Sequence, residues 1–328
     1  MVYKIAIIGA TGVVGRTALQ VMQERNLLSN DIRLFADQKE SGKKICFGKR
    51  RFVVEVLKEE TPCEKFDFAL FCTREDVSEK YVKSFAQNGT KVIDFSALYR
   101  KHYPLIVPEI NADKIKGNIL CNPNCSTIAA VMALYNIHKK FGLERVVYST
   151  YQAVSGAGKN ALEDLYKKRE SGLKGLPHPI YNNVICYIGD LSKDGYSKEE
   201  NKMIYETKKI LGDSTIKKTA TCVRVPIDIC HSESINFQTK KRANLKEIEN
   251  VLKQTEGVKY KNKFPDVPMP KDVRGQDKVF VGRLRKDFSN QNSFNIFVVS
   301  DNLRKGAAQN GVQILEELIE RKKKNEGV

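Results

Sequence analysis

Apolar and polar positions follow two different textures along this chain, and the change falls near residue 125. Before it, "YKIAIIGA" is a continuous apolar strand, followed by a glycine turn and the helix-like "RTALQVMQERNL". "IRLFAD", "RFVVEVL", "FDFALFC" and "KVIDFSA" follow as short apolar runs bounded by turn or charged residues, and "EDVSEKYVKSFAQNG" has helical spacing. Strands apolar on both faces, alternating with helices, predict a parallel, doubly wound sheet. After residue 125 the strands lengthen and alternate: "RVVYSTYQAV", "KKTATCVRVPI", "SESINFQT", "KVFVGRLR" and "SFNIFVVS". Amphipathic helices are expected around 160–170, 198–211 and 245–255, and "NLRKGAAQNGVQILEELIERKKK" predicts a strong terminal helix. The second half therefore reads as a mixed, largely antiparallel sheet with helices on one face. The fold class is α/β: a nucleotide-binding domain followed by a larger α+β domain.

Composition narrows this picture. The chain has 328 residues, 41% hydrophobic and 29% charged, which suits two globular domains. No stretch of about 18 apolar residues exists, so no membrane span is expected. The N-terminal "MVYKIAIIGATG" lacks a basic region and a cleavage site and reads as a strand, so it is expected to belong to the fold rather than to an export signal. Eight cysteines (Cys46, Cys63, Cys72, Cys121, Cys125, Cys186, Cys222 and Cys230) are too scattered for a disulfide framework and are expected to be reduced thiols in the cytoplasm. No C-x-x-C pair exists and the four histidines have no H-x-x-x-H spacing, so no metal site is expected. A net charge of +17 raises nucleic-acid binding. The lysines, however, are spread along every candidate helix with glutamates nearby, as in "LEDLYKKRE" and "NLKEIENVLKQTE". Solvated helix faces and attraction for small anions account for that pattern better.

Two short segments carry the chemistry. "GATGVVG", with Gly9, Gly12 and Gly15, sits between the first strand and the first helix. Close backbone approach there, with free N–H groups at a helix start, suits a dinucleotide phosphate. Gly9, Thr11, Gly12, Val13 and Val14 are the candidate contacts, and the domain is Rossmann-like in this reading. The spacing is not G-x-G-x-x-G, and a P-loop is excluded because Arg16 follows Gly15 where Lys is required. A tight turn without a ligand is the plain alternative. "CNPNCST" places Cys125 at the start of an apolar helix, where the helix dipole and unpaired N–H groups favour a thiolate. A buried structural cysteine is the alternative. A nucleophile needs an acid–base partner, and His231 in "RVPIDICHSES", between strand-like segments and close to Arg224, is the candidate; His102, His138 and His178 have less context.

The glycine loop, "NPNCST", "YQAVSGAG", "EENKM", "RVPIDICHSES" and "SDNLRKGAAQN" occur in that order, and with them the chain resembles the aspartate-semialdehyde dehydrogenase family over essentially its whole length. The resemblance implies a phosphorylating oxidation of L-aspartate 4-semialdehyde to 4-phospho-L-aspartate, run biosynthetically in reverse for lysine (through diaminopimelate), threonine and methionine. It implies Cys125 as the nucleophile that forms a thioester, His231 as the acid–base group and Gln152 as the residue positioning substrate. Arg224 matches the carboxylate clamp, Glu199 the residue near the substrate amino group, and Arg100 and Lys202 the phosphate-binding positions. Ser155, Gly156 and Asn310 match coenzyme contacts. The implied boundaries are residues 1–125 for the dinucleotide-binding domain, with helix 303–328 packing back on it, and 126–302 for a catalytic and dimerisation domain. A cytoplasmic homodimer is implied, with no nucleic-acid or membrane partner.

N-acetylglutamyl-phosphate reductase shares the thioester logic, but that family resembles "NPGCYPT" around its thiol. Glyceraldehyde-phosphate dehydrogenases resemble "SCTTN", which is absent. A basic DNA-binding regulator that senses a dinucleotide would need no nucleophile. The coenzyme is where the chain departs from its relatives. Family members commonly resemble "ASARSAGK" after the second strand, holding the 2′-phosphate of NADP. Here the stretch is "FADQKESGK", with Asp37, Lys39 and Glu40 at those positions. Asp37 lies about twenty residues past the glycine loop, where an acid bonds the ribose of NAD. Lys39 would attract a 2′-phosphate instead. NADP is expected on family grounds, with NAD used appreciably.

Overall fold

The opening apolar run folds as strand β1 (Lys4–Ile8), whose Ile5, Ala6, Ile7 and Ile8 are sealed from solvent. Each of these isoleucine side chains contributes about 1.5–3 kcal/mol on burial. The structure, a computed structural model, describes residues 2–168 and 172–327. They form two compact units, Met1–Pro123 with Ala307–Val328, and Asn124–Gly306.

In the first unit, helix α1 (Val13–Glu24) follows β1 and buries Ala18, Leu19, Val21 and Met22, the helical spacing expected of its sequence. Strands β2 (Asp31–Ala36), β3 (Lys44–Phe47) and β4 (Arg50–Val56) come next, then β5 (Phe68–Phe71), helix α2 (Glu75–Gln87), β6 (Lys91–Asp94), the single-turn helix α3 (Pro108–Asn111) and β7 (Ile119–Cys121). They make one seven-stranded sheet in the order β3-β4-β2-β1-β5-β6-β7, parallel except where β3 pairs with β4. The order reverses at β1, so the glycine loop lies at the switch point of a doubly wound sheet, where such sheets bind ligands. Two of these strands have no clear signal in the sequence: β3 has an alternating, exposed edge-strand pattern, and β7 is only three residues long. The C-terminal helix Gln309–Asn325 buries Val312, Ile314, Leu315, Leu318 and Ile319 in the same core as Ile5, Ile7 and Leu19.

In the second unit, helix α4 (Cys125–Phe141) leads into strand β8 (Leu143–Gln152), helices α5 (Lys159–Asp164) and α6 (Lys198–Leu211), and strands β9 (Lys217–Arg224) and β10 (His231–Thr239). Helix α7 (Leu245–Gln254), β11 (Val258–Tyr260), the single-turn helix α8 (Pro270–Val273), β12 (Val279–Lys286) and β13 (Ser293–Ser300) complete it. The six-stranded sheet runs β11-β12-β13-β10-β8-β9. Its three central ladders are antiparallel and its two outer ones, β11–β12 and β8–β9, parallel. Helix α4 packs on β8, β10, β12 and β13 with α6 and α7 beside it, so these helices cover one face. Helix α5 ends earlier than its expected span around 160–170. The Asp164 carboxylate instead accepts main-chain N–H bonds from Lys174, Gly175 and Leu176, turning the chain back. Residues 169–170 of that expected span, and Val328 of the expected terminal helix, lie outside the described residues.

The α/β class expected from the apolar pattern is the one observed: a doubly wound, mainly parallel sheet, then a mixed α+β unit. No described helix is long and apolar enough to cross a membrane.

Candidate active site

The inner face of the six-stranded sheet carries two adjacent rows of polar side chains. Register pairs Gln152 with Arg224 and, one row behind, Cys222 with Thr150 and Thr150 with Glu233. His231 starts β10 on the same inner face as Glu233, because side chains alternate with period two. Helix α4 starts above the first row, which is why its first residue, Cys125, meets that row rather than solvent.

Asn124 caps α4: its Oδ1 accepts from the Ser126 N–H at 3.0 Å and the Thr127 N–H at 3.2 Å. Cys125 Sγ then lies 3.1 Å from His231 Nε2. The other ring nitrogen, Nδ1, accepts the Ala153 N–H at 2.9 Å. A nitrogen that accepts cannot also carry a proton, so the neutral ring has its hydrogen on Nε2, directed at the sulfur. Burial, and then the nearby Arg224 charge, lower the His231 pKa to about 3 against the opposing pull of Glu199. The ring is therefore a neutral Nε2–H donor across the physiological range. Its Nε2–H is directed at the Cys125 sulfur, so the ring is not poised to take the thiol proton.

Around this pair charged and amide side chains are arranged in one network. Glu199, 6% exposed, accepts from Asn124 Nδ2 at 2.7 Å, Gln152 Nε2 at 3.0 Å and Lys202 Nζ at 3.1 Å. Burial alone would raise its pKa; the Lys202 charge, the two amides and Arg224 outweigh that and hold it at about 2. Gln152 also donates to Ser126 Oγ. Arg224 donates through Nη1 to the Ala153 carbonyl at 2.9 Å. Burial first, opposed by Glu199 and Cys125, lowers its pKa, and a guanidinium stays charged regardless. Gly156 lies against these groups: a Cβ there would stand 3.1 Å from Arg224 Nη1 and 3.2 Å from His231 Nε2. Ser155, 3% exposed, is tied to Asn302. Cys125, Gln152, Ser155, Gly156, Glu199, Lys202, Arg224 and His231 are thus brought together in the second unit.

Gly9, Thr11, Gly12, Val13, Val14, Asp37, Lys39, Glu40, Arg100 and Asn310 belong to the first unit. Gly9 has φ +79°, and a Cβ on it would lie 2.4 Å from the Cys72 carbonyl oxygen, so the turn requires glycine. A Cβ on Gly15 would lie 2.3 Å from the Gly9 oxygen. Gly12 starts α1 without a side-chain cap, so no side chain competes for the N–H groups of its first turn. Asp37 and Lys39 are exposed just past β2, and Glu40 pairs with Lys43 at 2.7 Å. Arg100 is mostly buried and donates through Nη2 to the Phe95 carbonyl at 2.8 Å. Asn310 is fully buried, its amide donating to the Ile106 carbonyl and to Asn122 Oδ1.

Several participants are not among the residues singled out in the sequence. Asn124 bears the N-cap signature, a polar residue immediately before an apolar helix, which could have been read. The Ala153 N–H and Glu233 carry no local signal. Glu233 is fully buried with neither carboxylate oxygen bonded, and burial, then the Glu199 charge, raise its pKa well above the ordinary value. Among the described residues no cluster of potential metal ligands occurs, and none of the eight cysteines is in a disulfide.

Chemically, a helix-start cysteine beside a neutral imidazole, with cationic groups around it, has the residue types that nucleophilic catalysis on an anionic substrate requires. Comparison with known proteins gives the family. The family model described as semialdehyde dehydrogenase, NAD binding domain, matches residues 4–118, and semialdehyde dehydrogenase, dimerisation domain, matches residues 134–305. Aspartate-semialdehyde dehydrogenase of Aquifex aeolicus is 44% identical, over 97% of this chain and 98% of its own. Aspartate-semialdehyde dehydrogenase II of Vibrio cholerae, solved in complex with ASA, is 36% identical with a TM-score of 0.93 over 98% of this chain and 99% of that one. The Candida albicans enzyme, solved with NADP, is 26% identical with a TM-score of 0.76 over 97% and 98%. A relative aligned from end to end, with both domain models matched in order, leaves one conclusion: the chain belongs to the aspartate-semialdehyde dehydrogenase family.

Proposed function

We propose that the chain converts L-aspartate 4-semialdehyde, phosphate and NADP to 4-phospho-L-aspartate and NADPH through a thioester on Cys125. It would run in reverse in the cytoplasmic synthesis of lysine (through diaminopimelate), threonine and methionine. The observation that carries this reading is the 3.1 Å approach of Cys125 Sγ to His231 Nε2, with the far side of the ring fixed by the Ala153 N–H.

In the oxidative direction the thiolate adds to the aldehyde carbon, forming the C–S bond, and the carbonyl oxygen becomes an oxyanion. The Nε2–H of His231 turns from sulfur to that oxygen and stabilises it. The nicotinamide, when bound, supplies the hydride acceptor that turns this adduct into the thioester. Phosphate then attacks the thioester carbon, the C–S bond breaks, and the departing thiolate regains the Nε2–H. In the biosynthetic direction Cys125 attacks the acyl phosphate and releases phosphate, and His231 assists collapse of the thiohemiacetal.

Arg224 would clamp the substrate carboxylate with its planar fork. Glu199, held ionised, would take the substrate ammonium, and Gln152 would position the reacting carbon. Lys202 and Arg100 would bind phosphate. The glycine loop from Gly9 to Val14 would take the coenzyme phosphates at the start of α1, with Ser155, Gly156 and Asn310 as further coenzyme contacts. NADP leads over NAD because Glu40 is neutralised by Lys43 and, among the described residues, Lys39 makes no ion pair. The NADP of the Candida albicans structure is in line with that choice. Asp37 keeps NAD in use. A homodimer through the second unit is part of the same reading. The face of its sheet away from α4, α6 and α7 presents Tyr151, 40% exposed, next to Phe297, an aromatic pair that a second copy would cover.

The test is coenzyme reduction by aspartate semialdehyde. The reading requires that reduction depend on phosphate and vanish in a folded Cys125→Ala variant. Sustained turnover without phosphate contradicts it.

A further inference from the structure

Cys230, the residue before His231, is buried and holds φ +79°, a left-handed conformation that costs free energy in any residue with a side chain. Such a conformation persists only where its surroundings fix it. Its N–H donates to Asn302 Oδ1 at 2.9 Å. The same Asn302 donates through Nδ2 to Ser155 Oγ at 3.0 Å, in the turn that follows Ala153. That turn is joined a second time to the segment before His231, by Val154 N–H to Ile227 O at 2.8 Å and Ser155 N–H to Asp228 O at 3.0 Å.

Asn302 therefore ties together the two chain segments that grip the imidazole: Cys230, which sets where the ring starts, and the Ala153–Gly156 turn, which supplies the N–H to Nδ1. Asn302 is itself rigid. It follows β13 and is 2% exposed. Its neighbour Asp301 accepts through Oδ1 from the Leu303 and Arg304 N–H groups, through Oδ2 from Gly275, and through its carbonyl from Gly306. At the other end of this loop Gly306 abuts the thiol: a Cβ on it would stand 3.1 Å from Cys125 Cβ. One loop thus bears on both reacting side chains.

We propose that Asn302 is a positioning residue, which holds Cys230 in its strained conformation and so keeps His231 Nε2 on the Cys125 sulfur. The proposal rests on the reading of Cys125 and His231 as the reacting pair. Without the Asn302 acceptor, Cys230 relaxes to an extended conformation, the ring leaves the Ala153 N–H, and the donor to sulfur is lost. Substrate binding through Arg224 and Glu199 is untouched, so kcat falls while KM for the semialdehyde stays within about twofold.

Glycine adopts φ +79° without strain, which gives a test that ordinary misfolding does not imitate. Asn302→Ala and Cys230→Gly are made singly and together. Coenzyme reduction and the pH dependence of Cys125 alkylation by iodoacetamide are then measured in all four proteins. Asn302→Ala should lower kcat about thirtyfold and move the alkylation midpoint to higher pH. In the Cys230→Gly background the same substitution should cost less than about fivefold and leave the midpoint where Cys230→Gly alone puts it. Equal losses in both backgrounds overturn the proposal. Should Asn302→Ala alone fail to fold, the double variant must fold and turn over, and its failure overturns the proposal too. A Cys125→Ala control that still turns over would instead overturn the nucleophile assignment, so the two failures are distinguishable.

Discussion

The Ala153 main-chain N–H donates to Nδ1 of His231 at 2.9 Å, and this one bond decides which nitrogen carries the proton that faces Cys125. It makes His231 a neutral donor to sulfur rather than a base waiting for the thiol proton. The acid limb of the rate should therefore not follow a histidine of ordinary pKa. With the His231 pKa lowered to about 3 by burial and Arg224, kcat/KM should show no titration near pH 6.5 that disappears in His231→Gln. The linkage sign is also defined. Between pH about 6.5 and about 3 the unfolded chain binds a proton at this residue that the folded chain refuses, so His231 weakens stability progressively as pH falls through that window.

Glu233 predicts the opposite pH trend. Its pKa is raised by burial and by Glu199, so above pH about 4.5 the unfolded state releases a proton that the folded state keeps, and stability is lost as pH rises. Glu233→Gln, neutral in both states, should raise Tm at pH 8. At pH 4 the gain should vanish. A Tm difference independent of pH would mean that Glu233 is ionised in the folded protein.

A side chain on Gly156 or Gly306 would crowd the catalytic candidates, with Cβ positions 3.1 Å from Arg224 Nη1 and from Cys125 Cβ respectively. Alanine at either should cost at least about tenfold in kcat/KM, since shifts of well under 1 Å at a reacting pair are expensive. Circular dichroism should stay native. Wild-type kinetics in both variants would show that the site is looser than this geometry.

These pH and glycine effects mark where the sequence stops being informative. The sheet of the first unit was readable because β1 and β5 are apolar on both faces and α1 has clean helical spacing. The proposed reacting pair is readable as residue types, a cysteine at a helix start and a histidine between strands. The ring tautomer was not, because it depends on the backbone N–H of Ala153, and any residue but proline supplies one. Glu233 was equally hidden, since only burial distinguishes it from a surface glutamate. The edge strand β3 and the three-residue strands β7 and β11 are too short or too exposed for periodicity to mark them.

The anion-binding assignments are separable by kinetics. Arg224→Lys should lower kcat/KM about tenfold to a hundredfold, because a point charge cannot replace a bidentate fork. Lys202→Ala and Arg100→Ala should chiefly raise the KM for phosphate in the oxidative direction. Normal kinetics in all three would remove the anion-clamp assignment while leaving the family membership intact.

In the proposed reading, coenzyme choice turns on two exposed residues of opposite sign, Asp37 and Lys39. Measured kcat/KM with both coenzymes should favour NADP by less than about a thousandfold, some 4 kcal/mol. A larger preference would mean that Asp37 does not face the ribose, and an NAD preference that reverses in Asp37→Ser would mean that it does.

The central claim, an acyl thioester on Cys125, is tested most directly by mixing the protein with aspartate semialdehyde and NADP in the absence of phosphate, then measuring reduced coenzyme and the mass of the Cys125 peptide after acid quench. The account predicts a single burst approaching one reduced coenzyme per subunit, an acyl adduct confined to the Cys125 peptide, and its disappearance when phosphate is added. Continuous turnover without phosphate, or a burst with the Cys125 peptide unmodified, would contradict it.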